Sequence, residues 1–165
     1  MLPLRYKIEK GIIKMSKNSN LHAAKAAKND EFYTLYSTVE KEVEHYVDQL
    51  KDQWIYCPCD DYRWSNFVKY FKDNFDRLKL KRLTATNYNI GDGAWRYDYD
   101  GVEEKIIALE GNGDFRSEEC TQIKNECDVI VTNPPFSLMN NFVYWLYDGK
   151  FELNNKGEYI KVKNG

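Results

Sequence analysis

The chain has 165 residues, 42% hydrophobic and 15% aromatic, enough apolar material for one packed unit and far from a disordered composition. No run approaches the roughly 18 apolar residues of a membrane span, and the N-terminus lacks the apolar core of a signal peptide, so a cytoplasmic protein with no membrane partner is expected. The formal charge of −2 is unevenly spread: residues 1–28 hold seven basic side chains against Glu9, a local +6 that leaves −8 for the rest. This basic arm is expected to be flexible, with 1–14 as an extension outside the fold, and it suits either phosphate contact or plain solvation. The four cysteines, Cys57, Cys59, Cys120 and Cys127, match no common zinc spacing and have only His22 and His45 to complete a set. Thiols and no metal are therefore expected.

From residue 29 onward, helical and strand patterns alternate. Val39, Val43, Tyr46, Val47 and Leu50 share one helical face, predicting a helix that is capped by Ser37 or Thr38 and runs to about Leu50. Trp54 to Cys57 reads as a short buried strand ending at Pro58. Phe67, Val68, Phe71, Phe75 and Leu78 mark a second helix opened by Ser65 or Asn66, and a second strand follows at about Leu80 to Asn87. That order predicts parallel pairing through a right-handed crossover. Trp95 to Tyr99 and Glu104 to Leu109 read as a hairpin turned at Asp100-Gly101. Asp128 to Thr132 is a further buried strand, followed by a helix carrying Leu138, Phe142, Trp145 and Leu146. Residues 148–165 read as a polar tail with at most a short hairpin, 151–153 with 159–162. The whole predicts an α/β unit over 29–147, a doubly wound and mostly parallel sheet with an inserted hairpin. Ligands bind such sheets beyond the carboxyl ends of the strands.

Two motifs fall at those ends. The first is Asn133-Pro134-Pro135-Phe136, directly after the last apolar run. An aromatic exocyclic amine is a poor nucleophile because its lone pair is delocalised into the ring. Two carbonyl acceptors, the Asn133 side chain and the Pro134 backbone, would draw the nitrogen towards tetrahedral geometry and free that lone pair. The prolines stiffen the turn that aims those oxygens, and Phe136 offers a face for a base to stack on. The plainer alternative is a strand-ending turn with Phe136 in the core.

The second motif is the connection from Cys57 to Phe67, with Cys59, Asp60 and Asp61 at its head. It has no glycine-rich phosphate loop. Two carboxylates repel phosphates and suit a ligand with ammonium and sulfonium groups, as in S-adenosylmethionine. Helix capping and dipole compensation are the alternative.

Four segments, in order, resemble the EcoRI-type adenine-specific DNA methyltransferases: Asn29-Asp30-Glu31-Phe32-Tyr33-Thr34, Cys59-Asp60-Asp61 with Ser65-Asn66-Phe67, Gly113-Asp114-Phe115-Arg116-Ser117, and Thr132-Asn133-Pro134-Pro135-Phe136-Ser137-Leu138. The resemblance spans about residues 20 to 147. It implies a Rossmann-like fold, S-adenosylmethionine as methyl donor, and methylation of adenine N6 within double-stranded DNA. It also implies roles: Phe32, Tyr33 and Thr34 at the methionine end of the cofactor; Cys59, Asp60 and Asp61 along the first-strand loop; Asp114, with Phe115 beside it, at the cofactor's adenine; Asn133, Pro134, Pro135 and Phe136 around the target base. Methyltransferases generally carry an acid at the end of the second strand for the ribose hydroxyls. Here Asn87 or Asn89 stands in as the hydrogen-bonding group.

The tail does not resemble the continuation expected of that family, so the expected fold is incomplete. The segment reads as a truncated or split cofactor-and-clamp half, with a complementary chain as a candidate partner. Two other readings stay open: an inactive remnant that binds cofactor, DNA or a partner, and an amino methyltransferase acting on RNA or a protein glutamine.

Overall fold

The computed structural model describes residues 34–148, apart from the Phe136 side chain, and the backbone of 151–153 and 159–161. The basic arm, Phe32 and Tyr33 lie outside these residues.

The sheet has five strands: β1 (Trp54–Cys57), β2 (Arg82–Thr86), β3 (Trp95–Tyr99), β4 (Glu104–Ala108) and β5 (Val129–Ile130), in spatial order β4-β3-β2-β1-β5. β1 runs parallel to both β2 and β5, with Tyr56 opposite Thr84 on one side and Ile130 on the other. The hairpin β3–β4 continues the sheet antiparallel beyond β2. The described sheet is therefore mixed, with two parallel and two antiparallel pairings, and not mostly parallel as expected. The reason is that the hairpin joins the sheet edge with its own short turn, where a further parallel strand would need a crossover.

Side-chain alternation assigns the two faces. Ile55, Cys57, Val129 and Val131 belong to one apolar cluster, Tyr56 and Ile130 to the other, and all six are essentially solvent-free. The first cluster is closed by α1 (Tyr36–Val43) through Val39 and Val43, and by α2 (Asn66–Asp73) through Phe67, Val68 and Phe71. The short α3 (Phe75–Leu78) adds Phe75 and Leu78. The second cluster is closed by α4 (Glu118–Glu126) through Ile123, and by α5 (Met139–Leu146) through Phe142, Val143 and Leu146. Layers on both faces bury large side chains worth about 1.5–3 kcal/mol each, which is what holds the strand ends in place.

Several boundaries differ from expectation. α1 begins at Tyr36, so Ser37 and Thr38 lie inside it and Leu35 is the cap residue, with no side-chain cap bond. The reason is upstream, where the Thr34 carbonyl is held by Asn66 Nδ2 at 2.8 Å and sets the helix start. The helix also gives way to a 3-10 segment, Glu44–Gln49, before Leu50. α2 stops at Asn74, whose backbone and side-chain nitrogens both donate to the Tyr70 carbonyl (3.0 and 2.9 Å), and α3 ends at Lys79 in the left-handed region (φ 54°). β5 pairs over only two residues because the chain peels away after Val131, whose N–H donates to the Tyr56 carbonyl at 3.0 Å. The tail segments Phe151–Leu153 (β6) and Tyr159–Lys161 (β7) form a separate antiparallel pair, as expected of a short hairpin. Among the described residues no helix is long and apolar enough to cross a membrane.

Candidate functional site

The carboxyl ends of β1, β2 and β5 meet at Asp60, which is 6% exposed. Its Oδ1 accepts from Ser65 Oγ (2.8 Å). Its Oδ2 accepts from Thr132 Oγ1 (2.5 Å) and, more weakly, from the Asn133 N–H (3.4 Å). Thr132 Oγ1 in turn accepts from the Cys59 N–H (2.9 Å), and the Asp60 N–H donates to the Thr86 carbonyl (3.0 Å). Ser65 caps α2 by accepting from the Val68 N–H at 3.3 Å. One carboxylate thus binds the loop after β1, the start of α2 and the turn after β5, with β2 joined through the backbone.

Asp61 and Asp114 occupy matching local structures. In each, Oδ1 accepts from the backbone N–H and Nε of the arginine two residues on, and Oδ2 accepts from its terminal nitrogen at 2.8 Å, giving Asp61–Arg63 and Asp114–Arg116 forks. The Arg116 fork holds the Asp114 carboxyl below its ordinary range, and Arg116 is raised in return. Each fork is followed by a capping serine, Ser65 for α2 and Ser117 for α4, where Ser117 Oγ accepts from the Cys120 N–H. Asp61 is therefore charge-neutralised by Arg63, so the expected pair of like carboxylates is not what the loop presents.

Two adjoining cavities open here. One, of about 240 Å³, is walled by Pro58, Cys59, Tyr88, Phe115, Pro135 and Leu138, with Asp114 and Arg116 at its polar side. The other, of about 120 Å³, is lined by Cys59, Asp60, Asp61, Asn87, Tyr88 and Asn133, among others. Cys59 and Tyr88 belong to both. Every expected site residue whose side chain is described, except Pro134 and Thr34, lines one of the two. Pro134 is buried in the turn between Asn133 and Pro135, and Phe136 starts the 3-10 turn Phe136–Leu138. Thr34 sits at the entrance to α1, and its buried Oγ1 has no partner among the described residues.

Asn87 is fixed where β2 ends. Its Oδ1 accepts from the Trp95 N–H (3.1 Å), and Gly113 lies so close, at φ 78°, that a Cβ there would fall 1.8 Å from the Asn87 carbonyl oxygen. The glycine of Gly113-Asp114-Phe115 thus seats the whole segment against the end of β2.

Sequence reasoning missed Thr132 as a tie, Tyr88 and Leu138 as cavity walls, and the two arginines. A signal for the arginines was present in the repeat of Asp-x-Arg ahead of a serine, Asp61 to Ser65 and Asp114 to Ser117.

Residues 20–100 and 91–157 match the family described as adenine-specific methyltransferase EcoRI. The type II methyltransferase M.EcoRI of Escherichia coli is 40% identical, over 81% of this chain and 47% of its own length. The type II methyltransferases M.MgeORF184P of Mycoplasma genitalium and M.MpnI of Mycoplasma pneumoniae are 40% and 42% identical, over 75% and 73% of this chain and 39% and 38% of theirs. The chain thus spans less than half the length of these relatives. No solved structure gives a significant match.

Proposed function

The chain belongs to the EcoRI family of adenine-specific methyltransferases, and from that premise we propose that it carries the cofactor cavities and base clamp of an S-adenosylmethionine-dependent DNA methyltransferase acting on adenine N6 in a duplex site. The fold proposed for it is Rossmann-like. Its supports are the parallel β2-β1-β5 core, helices on both faces and cavities at the strands' carboxyl ends.

The walls suit such a cofactor. Pro58, Tyr88, Phe115, Pro135 and Leu138 give the larger cavity mostly apolar walls, suited to a purine, with the Asp114 carboxylate at its edge as an acceptor. The smaller cavity is polar and fits the remaining, hydrogen-bonding part of the molecule. S-adenosylmethionine supplies a methyl group on a sulfonium, an electrophile that needs a localised lone pair opposite it. The chain's part is to prepare that lone pair. The Asn133 side-chain carbonyl and the Pro134 backbone carbonyl accept the two amino protons of adenine, and Phe136 stacks on the base.

The observation that carries this reading is the tie between Asp60 and the Thr132-Asn133 turn. It fixes the clamp to the wall of the cavity that Asn133 itself lines. The connection from Cys57 to Phe67 contains no glycine, which disfavours a nucleotide phosphate loop there.

The test is methyl transfer from labelled S-adenosylmethionine to duplexes with adenine, with cytosine as the only amino base of interest, and to RNA. Transfer to adenine duplex only is expected of the active assembly, the chain together with a complementary half. Asn133→Ala should lower it by about 100-fold or more, with cofactor affinity changed less than about threefold. Retained transfer by that variant would remove the clamp, and preference for RNA would redirect the substrate.

A further inference from the structure

Among the described residues, Arg116 is the one residue that binds the Asp114 carboxylate at the polar side of the larger cavity. Oδ1 accepts from the Arg116 N–H (2.8 Å) and Nε (3.0 Å), and Oδ2 from its terminal nitrogen (2.8 Å). The backbone is pinned on either side. The Asp114 N–H donates to Asn112 Oδ1 (3.1 Å), and the Asp114 carbonyl accepts from the Ser117 N–H (2.9 Å) at the start of α4. Arg116 is seated in turn on the core: its guanidinium lies 5.2 Å from the centre of the Phe115 ring, which meets Phe142 and Trp145 of α5 edge-on at 5.3 Å each. Support therefore runs from α5 through Phe115 and Arg116 to the carboxylate. A carboxylate offers about four lone-pair directions; the fork takes three, and the one left is on Oδ2. The guanidinium also keeps the group ionised, against the burial that would raise its pKa. A carboxyl free to protonate could donate as well as accept, and would then take a carbonyl as readily as an amine. Arg63 makes the same fork on Asp61, but only Arg116 belongs to the wall of the cavity its aspartate lines.

We propose that Arg116 is a positioning residue that sets the ring specificity of the larger cavity: it presents Asp114 as a fixed acceptor with room for one donor, so that an amino-bearing purine is taken and a 6-oxo purine is turned away. This rests on the cofactor reading above and adds the residue that makes the contact selective. A 6-oxo ring puts its carbonyl oxygen where the amine would stand, acceptor against acceptor, and leaves the carboxylate's last lone pair unmet. Arg116 acts through Asp114 and need not touch the ring itself.

The experiment is calorimetric titration of the full chain with S-adenosylhomocysteine and with S-inosylhomocysteine, which carries a carbonyl in place of the amine. The wild type should favour the adenine ligand by about tenfold or more. Arg116→Met keeps the length of the side chain and removes its donors, and should bring that preference below about threefold. Arg116→Lys, charged but without the planar fork, should recover part of it. A merely structural role would weaken both ligands alike and leave their ratio unmoved. The Arg116 side chain is 46% exposed, so these variants are expected to fold, and the wild-type ratio is read without any variant. Equal binding of the two ligands by the wild type, or a full preference retained by Arg116→Met, overturns this inference and leaves the cofactor reading intact. A folded wild type that binds neither ligand overturns both.

Discussion

Asp60 accepts from Ser65 at the start of α2 and from Thr132 and Asn133 in the turn after β5, so its carboxylate acts first as a tie. It still lines the smaller cavity, and the two roles are compatible because a carboxylate has about four lone-pair directions. Asp114 differs in being held by one local partner, Arg116. The fork lowers its folded-state pKa below the unfolded value of about 3.9, so the stabilisation is complete above that value and is lost as pH falls through the lower, folded one. Urea midpoints taken from pH 5 to pH 2 should therefore fall less steeply for Asp114→Asn than for the wild type. Equal slopes would mean that the fork contributes nothing to acid sensitivity.

At the scale of elements, the sequence was most legible where burial and turn chemistry agree. Trp54 to Cys57 is one run buried on both faces, and it is strand β1 with the expected bounds. Asp100-Gly101 sits between two alternating runs and turns β3 into β4, with Asp100 Oδ1 accepting from the Val102 and Glu103 N–H groups. Helix α4 escaped notice because only Cys120, Ile123 and Lys124 of its nine residues are buried, too few to mark a periodic apolar face, although Ser117-Glu118-Glu119 is an ordinary helix start. The Asn133-Pro134-Pro135-Phe136 motif stood out because its four residues are consecutive. Its anchor did not, since Asp60 and Thr132 are 72 positions apart and only the parallel β1–β5 pairing brings them together. The Gly113 segment offers a test at this scale. Gly113→Ala combines a positive φ with a backbone collision and should cost about 2 kcal/mol or more, read as a lower urea midpoint. A stability within about 0.5 kcal/mol of wild type would show that the segment can move away from β2.

Across the molecule, the strands of the sheet are covered unequally. β1 and β5 are enclosed, whereas every residue of β4 is exposed, including Ile106 and Ile107 at 47% and 53%. As the outermost strand of the described sheet it presents backbone donors and acceptors beside apolar side chains, a combination that favours association. Ile107→Lys should leave unfolding stability within about 0.5 kcal/mol and reduce concentration-dependent light scattering. Unchanged scattering would place the association elsewhere.

The two cavities share Cys59 and Tyr88, the Asp60 tie borders the smaller one, and the proposal that depends on them is binding of a methyl-donor cofactor. Calorimetric titration of the full chain with S-adenosylmethionine tests that most directly. Saturable binding of one molecule per chain, weakened when Asp114 is replaced, is the predicted result. A well-folded chain that releases or absorbs no binding heat over a range of temperatures, and that gains no thermal stability from the cofactor, would contradict it.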